Sequence, residues 1–185
     1  MENPDNAIIS KIHAGNAEAF TVLYEKYVKK IYAFIYYKTH HKQAVEDITS
    51  QTFMKALEKI SQFKIEKGTF QAWLYQIARN NVCDYYRSLK PASDIEDAWD
   101  LSTKEDIPRD TDLRKQLEEI QKGLQKLSAT QRDIVILRVW QGMNYAEIAE
   151  IVGKSPEACK VDFSRVSNKL RKEFALVALI FFFSL

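Results

Sequence analysis

Residues 144–172, NYAEIAEIVGKSPEACKVDFSRVSNKLRK, contain two amphipathic helical patterns separated by a single glycine. Asn144, followed three residues later by a glutamate, has the form of a capping box, and Gly153 is a typical C-terminal stop. Ser155 predicts a second N-cap, with Pro156 at the first helical position, where a missing N–H costs nothing. A cap, a stop and a second cap so close together favour a helix-turn-helix, with an ordinary helical hairpin as the alternative.

The second helix of this pair has two different faces when its residues are placed about 100° apart. One narrow apolar stripe contains Cys159, Phe163, Val166, Leu170 and Phe174. The opposite face carries short side chains bordered by cations, namely Glu157, Lys160, Val161, Ser164, Arg165 and Asn168. A helix in the major groove needs short side chains for base edges and Lys or Arg for phosphates. The pattern therefore predicts DNA binding by this face, and the alternative is a merely solvated surface.

Charge divides the chain into three blocks. Residues 1–90 carry 13 Lys/Arg and 9 Asp/Glu, residues 91–112 carry 2 and 8, and residues 113–185 carry 12 and 8. The middle block has no sustained hydrophobic period and contains two prolines, which predicts a flexible linker. With only five glycines and four prolines in 185 residues, the chain is expected to be mostly helical. We predict an all-α fold with two small helical domains, 1–90 and 113–174, joined by an acidic linker, the second ending in the helix-turn-helix.

Hydrophobic spacing predicts where the helices lie. The predicted ranges are 5–14, 17–39, 43–60, 69–87, 113–126, 128–140, 145–151 and a last helix from residue 156. Thr69 is a candidate N-cap, and Ser128 with Gln131 forms a second capping-box pattern. Tyr24 and Leu57 have the spacing of core residues in their helices.

The predicted helix 69–87 also has two faces. Phe70, Trp73, Leu74, Ile77 and Tyr85 share the apolar one. The other presents Tyr75, Gln76, Arg79, Asn80, Tyr86 and Arg87, whereas Asn81 falls on the buried side. Aromatic rings interleaved with arginines and amides suit single-stranded nucleic acid, because bases stack on rings and cations follow phosphates. The alternative is that the two tyrosines merely flank the core.

Other classes of protein have little support. Cys83 and Cys159 stand alone, and the three histidines form no cluster, so we expect no disulfide, metal or cofactor. No secretory signal pattern opens the chain, and a cytoplasmic location is the default. The tail 175–185 is apolar at ten of eleven positions, but as a helix of about 16 Å it is too short for a bilayer core of about 30 Å. We expect it to pack on protein rather than on a membrane.

Four segments, in order, resemble the small bacterial sigma factors of the extracytoplasmic-function (ECF) group. FQAWLYQIARNNVCDYYRS (70–88) resembles their segment for reading and melting the promoter −10 element. VEDITSQTFMKALEKI (45–60) resembles their polymerase-binding helix, and FTVLYEKYVKKIYAFIYYKT (20–39) the helix that opens the first domain. Residues 127–174 resemble the −35-binding domain.

The resemblance implies a transcription initiation factor, not an enzyme, that binds RNA polymerase core and promoter DNA. An anti-sigma factor is an expected partner, and no small-molecule substrate is expected. The implied polymerase contacts are Glu46, Asp47, Gln51 and Phe53. The implied −10 contacts are Phe63, in the loop 61–68, with Tyr75, Arg79, Asn80, Tyr86 and Arg87. The implied −35 contacts are Glu157, Lys160, Val161, Ser164, Arg165 and Asn168.

The sequence departs from the family pattern in two places. Ser50 and Gln51 stand where Gln-Glu is usual, which removes one carboxylate from the polymerase-binding helix. Asp162 places an acid in the predicted recognition helix, where the family commonly has a cation. Two other functions stay open: a helix-turn-helix regulator that acts without polymerase core, and a membrane-associated regulator that uses the apolar tail.

Overall fold

The structure, a computed structural model, describes residues 3–89, 123, 124 and 126–173. The chain divides into two compact units, Met1–Leu89 and Lys90–Leu185. Within the described residues every regular element is helical, which confirms the predicted all-α class. The predicted linker 91–112, most of the predicted helix 113–126 and the tail 175–185 lie outside the described residues.

The first unit is built on four α-helices whose bounds lie within three residues of the predicted ones. They are α1 (Pro4–His13), α2 (Phe20–Thr39), α3 (Lys42–Lys59) and α4 (Phe70–Leu89). Three short 3-10 helices accompany them, Ala17–Ala19, Ile60–Gln62 and Ile65–Lys67. Helices α2, α3 and α4 each pack against the other two. The predicted cap of α4 is present, since Thr69 Oγ1 accepts a hydrogen bond from the Ala72 N–H at 3.1 Å.

The core of the first unit lies among α2, α3 and α4. Its large buried side chains include Leu23, Tyr27, Ile31, Phe34, Ile35, Val45, Ile48, Phe70, Leu74 and Val82. Helix α1 is held to α2 by the buried carboxylate of Asp5, which accepts hydrogen bonds from Lys26 and from the Tyr27 hydroxyl. Removing either partner would leave one oxygen of a buried carboxylate without this hydrogen bond, so the contact favours this position of α1.

A two-residue turn joins α2 to α3. His40 ends α2 in the left-handed region at φ 48°, and its N–H donates to the Tyr36 carbonyl at 2.8 Å. His41 begins α3, because its Nδ1 accepts from the Ala44 N–H at 3.1 Å. The turn therefore satisfies backbone groups at both helix ends through side-chain and backbone caps.

The second unit contains α5 (Ala129–Val139), α6 (Tyr145–Val152) and α7 (Pro156–Glu173), which pack on one another. Both predicted capping boxes are present, at Ser128 with Gln131 and at Asn144 with Glu147. Gly153 ends α6 in the left-handed region at φ 72°. Most predicted bounds of these helices are thus confirmed to within one residue, because capping residues fix helix ends chemically.

Two expectations about the core are wrong. Tyr24 of α2 is 43% exposed and Leu57 of α3 is 48% exposed, although their spacing predicted burial. Both lie on the side of the first unit where α2 and α3 border an open groove. An apolar surface at helical spacing is compatible with a core or with a docking face, and sequence spacing alone does not separate them.

Candidate nucleic-acid and protein interfaces

Helix α7 presents its predicted polar face to solvent. Cys159, Phe163, Val166 and Leu170 are buried against the other helices of the unit. All six residues of the opposite face are exposed: Glu157, Lys160, Val161, Ser164, Arg165 and Asn168. The Ser155 Oγ accepts from the Ala158 N–H at 3.1 Å, so the helix starts where its sequence predicted. The exposed face thus combines two cations with short polar groups, as a major-groove helix requires.

The acid at Asp162 has a partner on its own unit. Its Oδ2 accepts from the Lys154 Nζ at 2.6 Å, which links the turn before α7 to the helix. Because the carboxylate is paired, it repels a DNA phosphate less than an isolated acid would. The pair also occupies Lys154, which therefore contributes less to a DNA-facing field.

Side-chain contacts link the three helices of the second unit around Tyr145. The Tyr145 ring packs edge-on against Phe163, with ring centroids 6.1 Å apart. The Arg138 guanidinium lies 5.0 Å from the centroid of the Tyr145 ring and donates to the Met143 carbonyl at 2.9 Å. These contacts join α5, α6 and α7 and hold α7 against the other two helices.

On α4 the structure separates the predicted −10 residues into two groups. Asn80 and Arg87 are exposed and Arg79 is half-buried, so these polar side chains reach the surface as predicted. Arg87 also pairs with Asp84 through a contact of 3.1 Å on the exposed side of the helix. The two tyrosines of the predicted face do not belong to this surface.

Tyr75 and Tyr86 are core residues, and their predicted exposure is wrong. Tyr75 is 0% exposed and its ring lies edge-on to Phe34, 5.2 Å away. Burial raises the pKa of the Tyr75 hydroxyl well above its usual value. Tyr86 is 6% exposed, and its hydroxyl donates to the Lys38 carbonyl at 2.7 Å. Helix α4 packs against both α2 and α3, so its buried arc is wider than a single stripe.

Phe63, predicted to stack on a base from the loop 61–68, is also buried. Its ring packs on Trp73 at 5.2 Å and on Phe70 at 6.1 Å between centroids. It therefore anchors the loop to the start of α4 instead of projecting from it. The exposed side chains of the loop include the cations Lys64 and Lys67.

Helix α3 exposes three of the four predicted polymerase contacts, Glu46, Asp47 and Gln51. The fourth, Phe53, is buried, and its ring packs edge-on against Tyr24 with centroids 4.8 Å apart. The prediction that Phe53 projects toward a partner is therefore wrong. It lines a surface groove between α2 and α3 and supports the residues around it.

The groove between α2 and α3 was not predicted. It has a volume of about 440 Å³ and is bordered by Glu46 and by apolar side chains. Three of these are substantially exposed: Met54 at 60%, Leu57 at 48% and Tyr24 at 43%. Met54 could have indicated this groove from the sequence, because it is an apolar residue outside the core spacing of α3 and close to the predicted acidic surface. A contiguous apolar groove that is open to solvent is a candidate protein-binding site.

None of the helices in the described ranges is both long enough and apolar enough to cross a membrane. The tail 175–185, on which the membrane-associated alternative depends, lies outside the described residues.

Comparison with known proteins identifies the family. The models of Sigma-70 region 2 and Sigma-70, region 4 match residues 23–91 and 117–170. The RNA polymerase sigma factor NccH of Alcaligenes xylosoxydans xylosoxydans is 33% identical, over 68% of this chain and 70% of NccH. The ECF RNA polymerase sigma factor BldN of Streptomyces coelicolor is 34% identical over 83% of this chain, and the match spans 59% of BldN.

A solved structure has the same architecture. The sigma factor RpoE of Bartonella quintana, in complex with the anti-sigma factor NepR, superposes with a TM-score of 0.61 and 26% identity, covering 83% of this chain and 94% of RpoE. With both regions matched in order, this chain belongs to the sigma-70 family of RNA polymerase sigma factors, in its ECF group.

Proposed function

We propose that this chain binds RNA polymerase core through its first unit and directs it to promoters that it reads at both the −10 and −35 elements. It acts in the cytoplasm as an initiation factor and carries no catalytic residues of its own. The observation that carries the proposal is the surface of α7. Its six candidate contacts are all exposed, while Cys159, Phe163, Val166 and Leu170 of the apolar stripe are buried. Residues 156–170 of this helix lie within the Sigma-70, region 4 match.

The polymerase surface combines the acids of α3 with the groove beside them. Glu46 and Asp47 supply negative charge, and Gln51 supplies an amide on the same exposed side of the helix. Met54 and Leu57 supply apolar area next to them. We expect the charges to govern orientation and rate of encounter, and the apolar side chains to supply most of the affinity.

The −10 surface comprises the polar side chains that α4 exposes, together with the loop that precedes it. Asn80 is the candidate base-reading amide, and Arg79 and Arg87 are candidate phosphate contacts. Lys64 and Lys67, exposed in the loop, join this set. Phosphate contacts position the strand and the amide supplies sequence discrimination, because only base edges carry sequence information.

The −35 surface is the exposed face of α7. Lys160 and Arg165 contact phosphates, while Glu157, Ser164 and Asn168 face base edges. Val161, exposed among polar neighbours, suits apolar contact with a thymine methyl group. This division predicts that changes at the cations weaken binding to all sequences and that changes at the polar residues alter sequence preference.

An anti-sigma factor is a proposed partner. RpoE of Bartonella quintana, which shares the fold, is solved in complex with the anti-sigma factor NepR. In this chain the groove between α2 and α3 offers apolar side chains and a carboxylate to a second protein.

A run-off transcription assay tests the proposal. Purified chain and core polymerase are incubated with fragments of the source genome, and transcripts are mapped with and without the chain. We expect discrete start sites that require both components. A chain that binds DNA specifically but neither binds core nor starts transcripts would be a regulator, and the proposal would be wrong.

A second test reverses the charge of the proposed polymerase surface and changes nothing else. The variant with Glu46→Lys and Asp47→Lys should lose core binding and transcription together while it keeps its helix content. If it transcribes normally, the acids of α3 are not part of the polymerase surface.

A further inference from the structure

A buried polar network joins α3 to α4. The Asn81 side chain is buried, and its Nδ2 donates to Thr52 Oγ1 at 3.0 Å. The Thr52 hydroxyl in turn donates to the Ile48 carbonyl at 2.7 Å. From one turn further along α3, the Lys55 Nζ donates to Asn81 Oδ1 at 2.5 Å. One amide of α4 is therefore held at both ends by residues of α3.

The donors and acceptors of this network allow one arrangement. Lysine only donates, so the oxygen of the Asn81 amide must face Lys55. The nitrogen then faces Thr52, whose own proton is already given to the Ile48 carbonyl, so the hydroxyl oxygen accepts. Both ends of the amide are satisfied only when Asn81 lies opposite this one turn of α3. A shift of α4 by a turn, about 5.4 Å, would break both bonds.

The surrounding apolar contacts impose a less strict restriction. The buried apolar side chains of α3 and α4 include the small Ala56, Ala78 and Val82 and the larger Phe53 and Leu74. Apolar packing restricts the register through shape, while the burial of apolar area is itself non-directional. Directional hydrogen bonds to the buried amide add a stricter selection, because a buried polar group without a partner is strongly disfavoured.

We infer that Asn81 is a positioning residue for −10 recognition, acting through Thr52 and Lys55. The network sets α4 relative to α3, and so sets the face that carries Asn80 relative to the surface that carries Glu46 and Asp47. The strand would then be read at a fixed place with respect to polymerase. This inference rests on the proposed function, because it assigns a role within the same promoter complex.

The test measures promoter opening by holoenzyme that contains full-length variants. Asn81→Leu keeps the side chain close in size and removes both hydrogen bonds, while Lys55 is free to turn to solvent. We expect core affinity to stay within about twofold and promoter opening to fall by roughly threefold to tenfold, at the lower end of the range for residues in contact. Thr52→Val, which replaces only the hydroxyl, should also reduce promoter opening. It is the alternative test if Asn81→Leu does not fold.

Thr39→Val is the matched control. Thr39 is a buried threonine of α2 that donates to the Ile35 carbonyl at 3.1 Å, as Thr52 does to Ile48, but it has no bond to Asn81. It should leave promoter opening unchanged. If Thr39→Val and Thr52→Val lower opening equally, loss of a buried hydroxyl explains the effect and the inference is overturned.

A double-mutant cycle separates positioning from stability. If Asn81 acts through the reading face, Asn80→Ala should reduce opening less in the Asn81→Leu background than in the natural chain. Additive effects, or opening that only follows the folded fraction, would overturn the inference. Failure of the unaltered chain to bind core would instead remove the proposed function, and the two outcomes are therefore distinct.

Discussion

Replacing Tyr86 by phenylalanine should destabilise the first unit without altering its interfaces. The hydroxyl of Tyr86 reaches across from α4 to donate to the carbonyl of Lys38, in the last turn of α2, at 2.7 Å. Tyr86→Phe keeps the ring and removes this one donor. The sequence pattern predicts Tyr86 on the DNA-binding face, whereas the structure buries it. The substitution therefore distinguishes a core role from a DNA-binding role.

The expected size of the effect follows from burial. The side chain of Tyr86 is 6% exposed, so water cannot readily replace the lost donor. A neutral hydrogen bond contributes about 1 kcal/mol net, and an acceptor left buried costs about 1–3 kcal/mol. For a unit of this size, each kcal/mol lowers the midpoint of thermal unfolding by about 4–8 °C. We therefore expect a decrease of at least about 4 °C.

Thermal unfolding of the full chain, followed by circular dichroism, gives the midpoint. Hydrogen–deuterium exchange of peptides from α4 then places the loss in the first unit. Tyr85→Phe is the matched control. Tyr85 is next to Tyr86 in sequence and half-buried, and the centroids of the two rings lie 5.3 Å apart. The control should shift the midpoint much less, because no comparable cross-helix bond is removed.

Promoter binding decides between the structural and the DNA-binding role. At a temperature where both variants are folded, Tyr86→Phe should bind promoter DNA as the natural chain does. Weaker DNA binding with an unchanged midpoint would refute the burial argument and return Tyr86 to the −10 surface.

Three further predictions concern the other surfaces. Glu46→Lys combined with Asp47→Lys should weaken binding to core polymerase in a pull-down, and unchanged binding would exclude this surface. Lys160→Ala should weaken binding to all DNA sequences and reduce the slope of log affinity against log salt by about one; a slope that did not change would mean that Lys160 touches no phosphate. Gly153→Ala should destabilise the second unit by about 1–2 kcal/mol, because its φ of 72° disfavours a residue with a side chain. A Cβ there would meet no atom within 4 Å, so no steric clash adds to this backbone cost. A neutral result in a melting experiment would contradict the prediction.

The sequence was most informative for the second unit. Residues such as Asn144, Gly153 and Ser155 act through their own side chains or backbone, so their chemistry sets helix ends locally. Helix α7 also packs through one narrow stripe, which a wheel of 3.6 residues per turn reproduces. Its bounds, buried side and exposed side all followed from these two rules.

Helix α4 was harder to predict because two neighbours cover it. Tyr75 faces Phe34 of α2, whereas Asn81 bonds to Thr52 of α3. The buried arc therefore extends well beyond the apolar stripe and includes polar side chains with buried partners. Trp73, Ile77 and Tyr85 of the predicted stripe are only half-buried, so amphipathic spacing gave neither the centre nor the width of the buried arc. Both depend on which elements pack against the helix.

The groove between α2 and α3 shows a different limit. Tyr24 and Leu57 have the composition and spacing of core residues, yet both are exposed beside the groove. An apolar surface of this type is indistinguishable in sequence from the interior until the fold shows which side has no covering element. Phe53, conversely, is predicted to contact polymerase but is buried, and its ring packs edge-on against Tyr24.

The ion pair between Lys154 and Asp162 bears on how the protein is distributed over a genome. Binding to arbitrary DNA comes almost entirely from cations near phosphates. By holding the Lys154 ammonium at 2.6 Å, Asp162 lowers the charge offered to any sequence and leaves the base-facing side chains of α7 unchanged. A genome presents about 10⁶–10⁹ competing sites, so a small loss of affinity at each one releases many molecules for the search. In the proposed −35 complex the pair therefore lowers the phosphate term at promoter and non-promoter DNA alike, so that discrimination rests on the base-facing side chains of α7.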